Sequence, residues 1–179
     1  MYPWEALKHC PSCGQESVAH PAIRFECAAC GFVLFFNPAI GVAGIVVDSS
    51  RNILMLRRQR DPHKGKLGIP GGFVDHGEAV DDALRREINE ETGLTVDRLE
   101  YLASYPNEYE YSGITYQISD VFYVARVESF ENTRKQVGEV EELLVVAPNE
   151  VRLDEMAFES NRRAMQDYLA IANEGTRPR

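Results

Sequence analysis

Residues 72–94 read GFVDHGEAVDDALRREINEETGL: a loop opened by glycine, then a helical pattern that puts carboxylates where apolar side chains belong. At about 100° per residue, with Glu87 as zero, Val80 falls at about 20°, Leu84 at about 60°, Ile88 at about 100° and Ala83 at about −40°. These four make one apolar stripe, which predicts a helix over 78–92 lying on a sheet. Glu87 and Glu91, at 0° and about 40°, fall inside the same stripe, and Glu90, at about −60°, lies beside it. The opposite face carries Asp81, Asp82, Arg85, Arg86 and Asn89, where charge meets water. Carboxylates on a core-facing stripe are costly unless something compensates them. A divalent cation compensates three clustered carboxylates, and hard oxygen ligands select Mg²⁺ or Mn²⁺. The competing reading is a solvated acidic helix end with Arg86 paired to Glu90 at i,i+4.

The loop before this helix, Gly71 to Glu78, allows a close backbone approach to a metal or a phosphate, or serves only as a turn. Upstream, Arg57, Arg58, Arg60, Lys64 and Lys66, with His63, concentrate positive charge in a chain of net charge −9. They offset a polyphosphate or form a solvated loop.

The flanking sequence is strand-rich. Residues 40–48 form a Val- and Ile-rich run, a buried strand. Asp48 to Asn52 is a turn, and Ile53 to Leu56 returns as the hairpin partner. Residues 99–105 and 114–128 have strand character, and Leu143 to Val146 is another short strand. Ser160 is placed to cap a last helix carrying Met165, Tyr168 and Leu169, and Asn173 to Arg179 read as a frayed tail. Strands mixed with helices define an α/β domain.

All four cysteines lie in the first 30 residues: Cys10, Cys13, Cys27 and Cys30, in two C-x2-C units each followed by glycine. Two such turns supply four thiolates to a tetrahedral zinc ion. Two disulfides or four free thiols are the alternatives. A four-thiolate shell leaves no open position, so the zinc is structural. His9 and His20 read as surface residues. Asn37-Pro38 marks the end of this ribbon.

The length of 179 residues suits one domain with a small appendage. With 44% hydrophobic and 26% charged residues, the chain is globular rather than disordered. Its acidity argues against broad binding to nucleic acid or anionic membranes. No apolar run spans a bilayer, and Met1 to Glu5 does not begin a secretory signal, so a cytoplasmic protein is expected.

The pattern G-x5-E-x7-R-E-I-x-E-E-x-G-L, from Gly72 through Glu78, Arg86-Glu87-Ile88 and Glu90-Glu91 to Gly93-Leu94, resembles the Nudix box at every defined position. The resemblance to Nudix hydrolases implies an α/β/α sandwich around a mixed β-sheet at 38–179, preceded by a small zinc ribbon at 1–37. It implies an enzyme that uses Mg²⁺ or Mn²⁺ to cleave a nucleoside diphosphate linked to another moiety. Carried over residue by residue, Glu87 and Glu91 look like the principal metal ligands. Glu90 looks like a ligand or water-positioner, and the main chain of Gly72 joins the metal site. Glu78 and Arg86 look like supports of the box geometry beside the substrate. A further glutamate from a later loop is expected; Glu139 fits best and Glu142 second. The general base is Glu87 or Glu139.

A ribbon ahead of such a domain resembles the NADH pyrophosphatase branch and some hydrolases of FAD or ADP-ribose. That branch carries S-Q-P-W-P-F-P-x-S. Here residues 104–112 keep Ser104, Pro106 and Ser112, place Tyr109 for the Phe, and lack the Gln, the Trp and two prolines. Tyr105 and Tyr109 are expected to stack on a base, and Arg58 to meet the diphosphate. The expected partner is a small nucleotide, ranked NADH, ADP-ribose, FAD, with no membrane. A capped RNA 5′ end is the one nucleic acid retained, as a decapping alternative. A non-catalytic nucleotide sensor or adaptor is the other alternative, and a homodimer is left open.

Overall fold

The computed structural model describes residues 1–16 and 23–174. His20 and residues 175–179, at the end of the expected tail, lie outside the described residues. The chain forms two compact units: Met1–Ala39 with Glu108–Ile118, and Ile40–Asn107 with Ser119–Arg179. Against the expected division at 37/38, the break falls at 39/40, and one further stretch changes sides. Residues 108–118, read as part of the larger domain, belong to the first unit.

The first unit holds a short helix α1 (Pro3–Ala6) and an antiparallel pair, β1 (Arg24–Glu26) and β2 (Val33–Phe35). Phe25 is fully buried with Cys10 and Cys27, and Leu7, Phe32 and Phe36 pack around them. Tyr2 stacks on Trp4 at 4.5 Å between ring centres, and Trp4 meets Phe36 edge-on at 6.1 Å. The 108–118 segment is tied in by hydrogen bonds. Thr115 N–H donates to Met1 C=O at 2.8 Å, and the Tyr2 hydroxyl donates to Glu108 at 3.0 Å.

The second unit is built on a seven-stranded sheet, whose main path runs β5 (Leu67–Gly68), β4 (Ile53–Arg58), β3 (Ala39–Val47), β8 (Ile114–Arg126), β7 (Arg98–Tyr111). β6 (Gly71–Phe73) pairs with β3, and β9 (Val140–Val146) pairs with β4, both antiparallel. β3 and β8 end side by side, Val127 N–H donating to Val47 C=O at 3.0 Å, so they run parallel and the sheet is mixed. The near-continuous apolar run of β3 is explained by cover on both faces. On one face Ile45, Val47, Met55 and Phe122 pack with Ala164, Met165 and Tyr168 of α3 (Glu159–Glu174). On the other, Val42, Val46 and Leu54 pack with Ala83, Leu84 and Ile88 of α2 (Val80–Thr92). This is the expected α/β/α sandwich.

Three local expectations are corrected. α2 starts at Val80, not 78, because Glu78 closes the preceding loop: its N–H donates to Asp75 C=O and its carboxylate accepts the Asp75 N–H, both at 3.1 Å. Ser160 does not cap α3. It lies inside the first turn, 1% exposed, and its hydroxyl donates to Asp120 at 2.7 Å. α3 itself runs to Glu174, through the start of the expected tail.

Candidate active site

α2 delivers the carboxylates. Gly93, at φ +73°, ends the helix and donates its N–H to Asn89 C=O at 2.8 Å. Ala83, Leu84 and Ile88 are fully buried, and Glu91 shares their face at 8% exposure. The Glu91 carboxylate accepts the Gly71 N–H at 2.9 Å. Burial pushes its pKa up to about 8 against that hydrogen bond, with the charges of Glu87 and Glu139 adding to the rise. Glu87 is half-buried and is also raised, chiefly by burial. Glu90 is exposed.

Arg86 organises the box. Its guanidinium donates to both oxygens of Glu78 at 2.9 and 3.0 Å, to Glu87 at 2.8 Å, to Glu90 at 3.5 Å and to Phe73 C=O at 3.2 Å. These bonds hold Glu78 below the usual carboxylate range, with the Asp75 N–H helping. The simple Arg86–Glu90 pair of a solvated helix end is thus the longest of Arg86's carboxylate hydrogen bonds rather than its main one.

Two glycines make room for this arrangement. A Cβ on Gly72 would stand 2.3 Å from Glu87 Oε1, and one on Gly71 would stand 2.2 Å from Val42 C=O. Gly72 therefore lies directly against the Glu87 carboxylate.

Glu139 comes from the segment before β9. Its C=O accepts the Gln59 N–H at 2.9 Å, and its carboxylate pairs with Arg60 at 2.8 Å. Its charge is felt at both Glu87 and Glu91, so the later glutamate stands by the box. Glu142 pairs with Arg57 at 3.3 Å on β4. Sequence reading missed Arg60 as a partner and Gly71 as the donor to Glu91. The basic run and the paired glycines were the available signals.

The expected substrate groups are placed differently from one another. The Arg58 Nε donates to Pro62 C=O at 2.9 Å and its guanidinium lies over the Phe158 ring at 5.1 Å, while its charge reaches Glu91. Tyr105 packs beside Phe122, donates to Asp167, and has Arg163 over its ring at 4.0 Å. Tyr109 falls in the other unit.

Metal fit differs between the two clusters. Cys10, Cys13, Cys27 and Cys30 have all four sulfurs within 4.8 Å of one another, with Cys10–Cys30 at 3.8 Å and Cys13–Cys27 at 3.7 Å. Four thiolates about 2.3 Å from a central zinc stand about 3.8 Å apart, so the spacing fits the ion. No disulfide joins them. Each knuckle repeats one turn, Gly14 N–H to Cys10 C=O and Gly31 N–H to Cys27 C=O, both 2.9 Å. Among the described residues this is the one group of three or more potential ligand side chains gathered so tightly. The glutamates are instead drawn toward Arg86, Gly71 and Arg60. Their donor set is all hard oxygen, and the buried Glu91 has one backbone donor for its charge, which suits Mg²⁺ or Mn²⁺.

The profile of the NUDIX domain matches residues 37–168. Over 61 residues the chain is 48% identical to an ADP-ribose pyrophosphatase of Methanocaldococcus jannaschii, covering 34% of this chain and 36% of that protein. Over 132 residues it is 30% identical to the NAD-capped RNA hydrolase NudC of Haemophilus influenzae, covering 64% and 49%. The matched regions thus span about a third to a half of these curated relatives. A NUDIX hydrolase structure from Nitrosomonas europaea superposes with TM-score 0.65 at 21% identity, covering 94% and 93% of the two chains. A MutT NUDIX hydrolase from Burkholderia pseudomallei gives 0.61 at 27%, covering 73% and 98%.

Proposed function

The chain belongs to the NUDIX family, and from that premise we propose that it is a metal-dependent hydrolase of nucleoside diphosphates linked to a second group. The observation that carries this reading is Glu91: a carboxylate on the buried face of α2, with one backbone N–H to offset it and Glu87 and Glu139 close enough to raise its pKa further. A helix selected only for packing places an apolar residue there.

Glu87 and Glu91, with Glu90 and Glu139, would hold Mg²⁺ or Mn²⁺, which when bound neutralises charge on the diphosphate and acidifies the attacking water. The chain's own groups do the rest. Arg86 fixes Glu87 at 2.8 Å while its other edge is anchored on Glu78, so the carboxylate meets the reacting centre in a set orientation. Glu87 or Glu139 accepts the proton of the water that attacks phosphorus. The cationic residues Arg58, Lys64 and Lys66 provide positive charge for the diphosphate.

The substrate class is ADP-ribose, NADH or FAD, in keeping with the relatives named as an ADP-ribose pyrophosphatase and NAD-capped RNA hydrolases. A capped RNA end is the second reading, favoured by the NudC likeness alone. The four cysteines hold a structural zinc. No described helix is long and apolar enough to cross a membrane. The test is hydrolysis of ADP-ribose, NADH, FAD and NAD-capped RNA beside nucleoside triphosphates under identical Mn²⁺. Cleavage of a linked diphosphate that is lost in Glu87→Gln and Glu91→Gln supports the reading. Preference for a triphosphate overturns the substrate class, and absence of any cleavage transfers the fold to nucleotide sensing.

A further inference from the structure

Glu139 is held in a way that the box does not explain. Within β4 and β9 the register slips by one residue, Arg57 opposite Glu142 but Arg58 opposite Val140, so Glu141 is a bulge. A bulge re-aims the side chains beyond it. Lys135 Nζ donates to the Glu141 C=O at 2.6 Å, satisfying a carbonyl at the interruption in the ladder. The same segment is fastened to the end of α2: Arg134 N–H donates to Thr92 C=O at 2.9 Å and Gln136 N–H to Glu91 C=O at 3.1 Å. Main-chain bonds thus register Glu139 against Glu91, leaving its side chain to Arg60.

That side-chain pair is the exchangeable element. Arg60 Nη1 and Glu139 Oε1 are 2.8 Å apart, with side chains 63% and 43% exposed. Arg60 also lies over Gly138, its Nη2 3.1 Å from where a Cβ would stand. We propose that Arg60 is a latch on Glu139, holding the carboxylate while the site lacks substrate and yielding it when a diphosphate offers the guanidinium a bidentate partner. Arg60 is then a positioning residue for Glu139. It competes with the metal in the free protein and joins the substrate in the complex. The inference rests on the reading of Glu139 as a member of the metal site.

An exposed pair of this kind contributes a factor of about two to five. Binding of Mn²⁺ alone to the full chain, followed by the electron paramagnetic resonance of the free ion, is measured for the parent, Arg60→Ala, Arg60→Lys, Glu139→Gln and Arg60→Ala/Glu139→Gln. KM and kcat for ADP-ribose are measured on the first three. The latch predicts that Arg60→Ala binds Mn²⁺ two- to five-fold tighter in the parent background and has no effect in the Glu139→Gln background. It also predicts a several-fold rise in KM for Arg60→Ala with a smaller change in kcat, and that Arg60→Lys stays near the parent in Mn²⁺ affinity. Equal tightening in both backgrounds overturns the latch in favour of a general field effect. Unchanged Mn²⁺ affinity, or an unchanged KM, overturns it as well. If Glu139→Gln leaves Mn²⁺ binding intact, the assignment of Glu139 to the metal site falls instead.

Discussion

Replacing Gly72 with alanine tests the carboxylate geometry without touching a charged group. The backbone there is not left-handed, so alanine is conformationally allowed. The added Cβ would stand 2.3 Å from Glu87 Oε1, 2.4 Å from its Cδ and 2.8 Å from Oε2. Real Cβ contacts stay beyond 3.0 Å, so the carboxylate must withdraw by at least 0.7 Å. Glu87 is a flexible side chain and can move, at the expense of its 2.8 Å bond to Arg86. Stability falls by only about 1 kcal/mol, roughly 2–4 °C in a chain of this size. Catalysis is more sensitive: a displacement near 1 Å lowers turnover by roughly 10²-fold. Gly71→Ala is the contrast. Its Cβ would meet Val42 C=O at 2.2 Å and Ala43 Cα at 2.6 Å, backbone atoms that cannot withdraw, so about 3 kcal/mol or more of stability is lost. Melting curves with kcat at saturating Mn²⁺ separate the two. Gly72→Ala turnover within two-fold of the parent refutes the placement of Glu87 at the reacting centre.

Glu87→Gln and Glu91→Gln should each lower kcat by roughly 10²–10⁴-fold with folding retained, read on the best linked diphosphate. In chelated protein, burial raises the Glu91 pKa from 4.5 to about 8, so the folded state holds a proton that the unfolded state has released. Stability from this group is complete below about pH 4.5 and is lost as pH rises through about 8. Urea titrations across that range should show a downward slope that flattens in Glu91→Gln. Cys10→Ser or Cys27→Ser should lose zinc by elemental analysis and loosen the first unit. The one tryptophan, Trp4, stacked on Tyr2, reports this by fluorescence. Mild chelation that removes the box metal should abolish hydrolysis with little change in that signal.

The α2 stripe was legible because helical period is a local property: Leu84, Ile88, Glu87 and Glu91 take their faces from spacing alone. The cysteine knuckles were legible for the same reason. What depended on distant strands was not. β7 continues past residue 105 through Pro106 to Tyr111, because β7 is the edge of the sheet and a missing N–H there costs no ladder bond. Segment 104–112, read as a base-binding stretch, thereby lies in a long strand up to Tyr111, with Ser112 in the turn that follows. Tyr105 from it packs with Phe122 and Arg163. Ser160 has the composition of a cap, yet Asp120 on β8 claims its hydroxyl. The nearness of Glu139 to Glu87 and Glu91 could be expected from its position ahead of a strand. The partner of Glu139, Arg60, could not, since the pairing follows from the β4–β9 register and its bulge.

The first unit is discontinuous in sequence, and this limits how the protein can be cut. Trimming at residue 37 does not lift out a freestanding cysteine module. It removes the Met1 and Tyr2 partners of Thr115 and Glu108 and strands the far end of the β7–β8 hairpin. The reciprocal fragment keeps its knuckles but loses the hairpin groups that bind Met1 and Tyr2. Shortening that hairpin should therefore release Met1 and Tyr2, while the core of Phe25, Cys10 and Cys27 keeps its own packing. Grafting the whole first unit onto another protein would require transplanting both segments together.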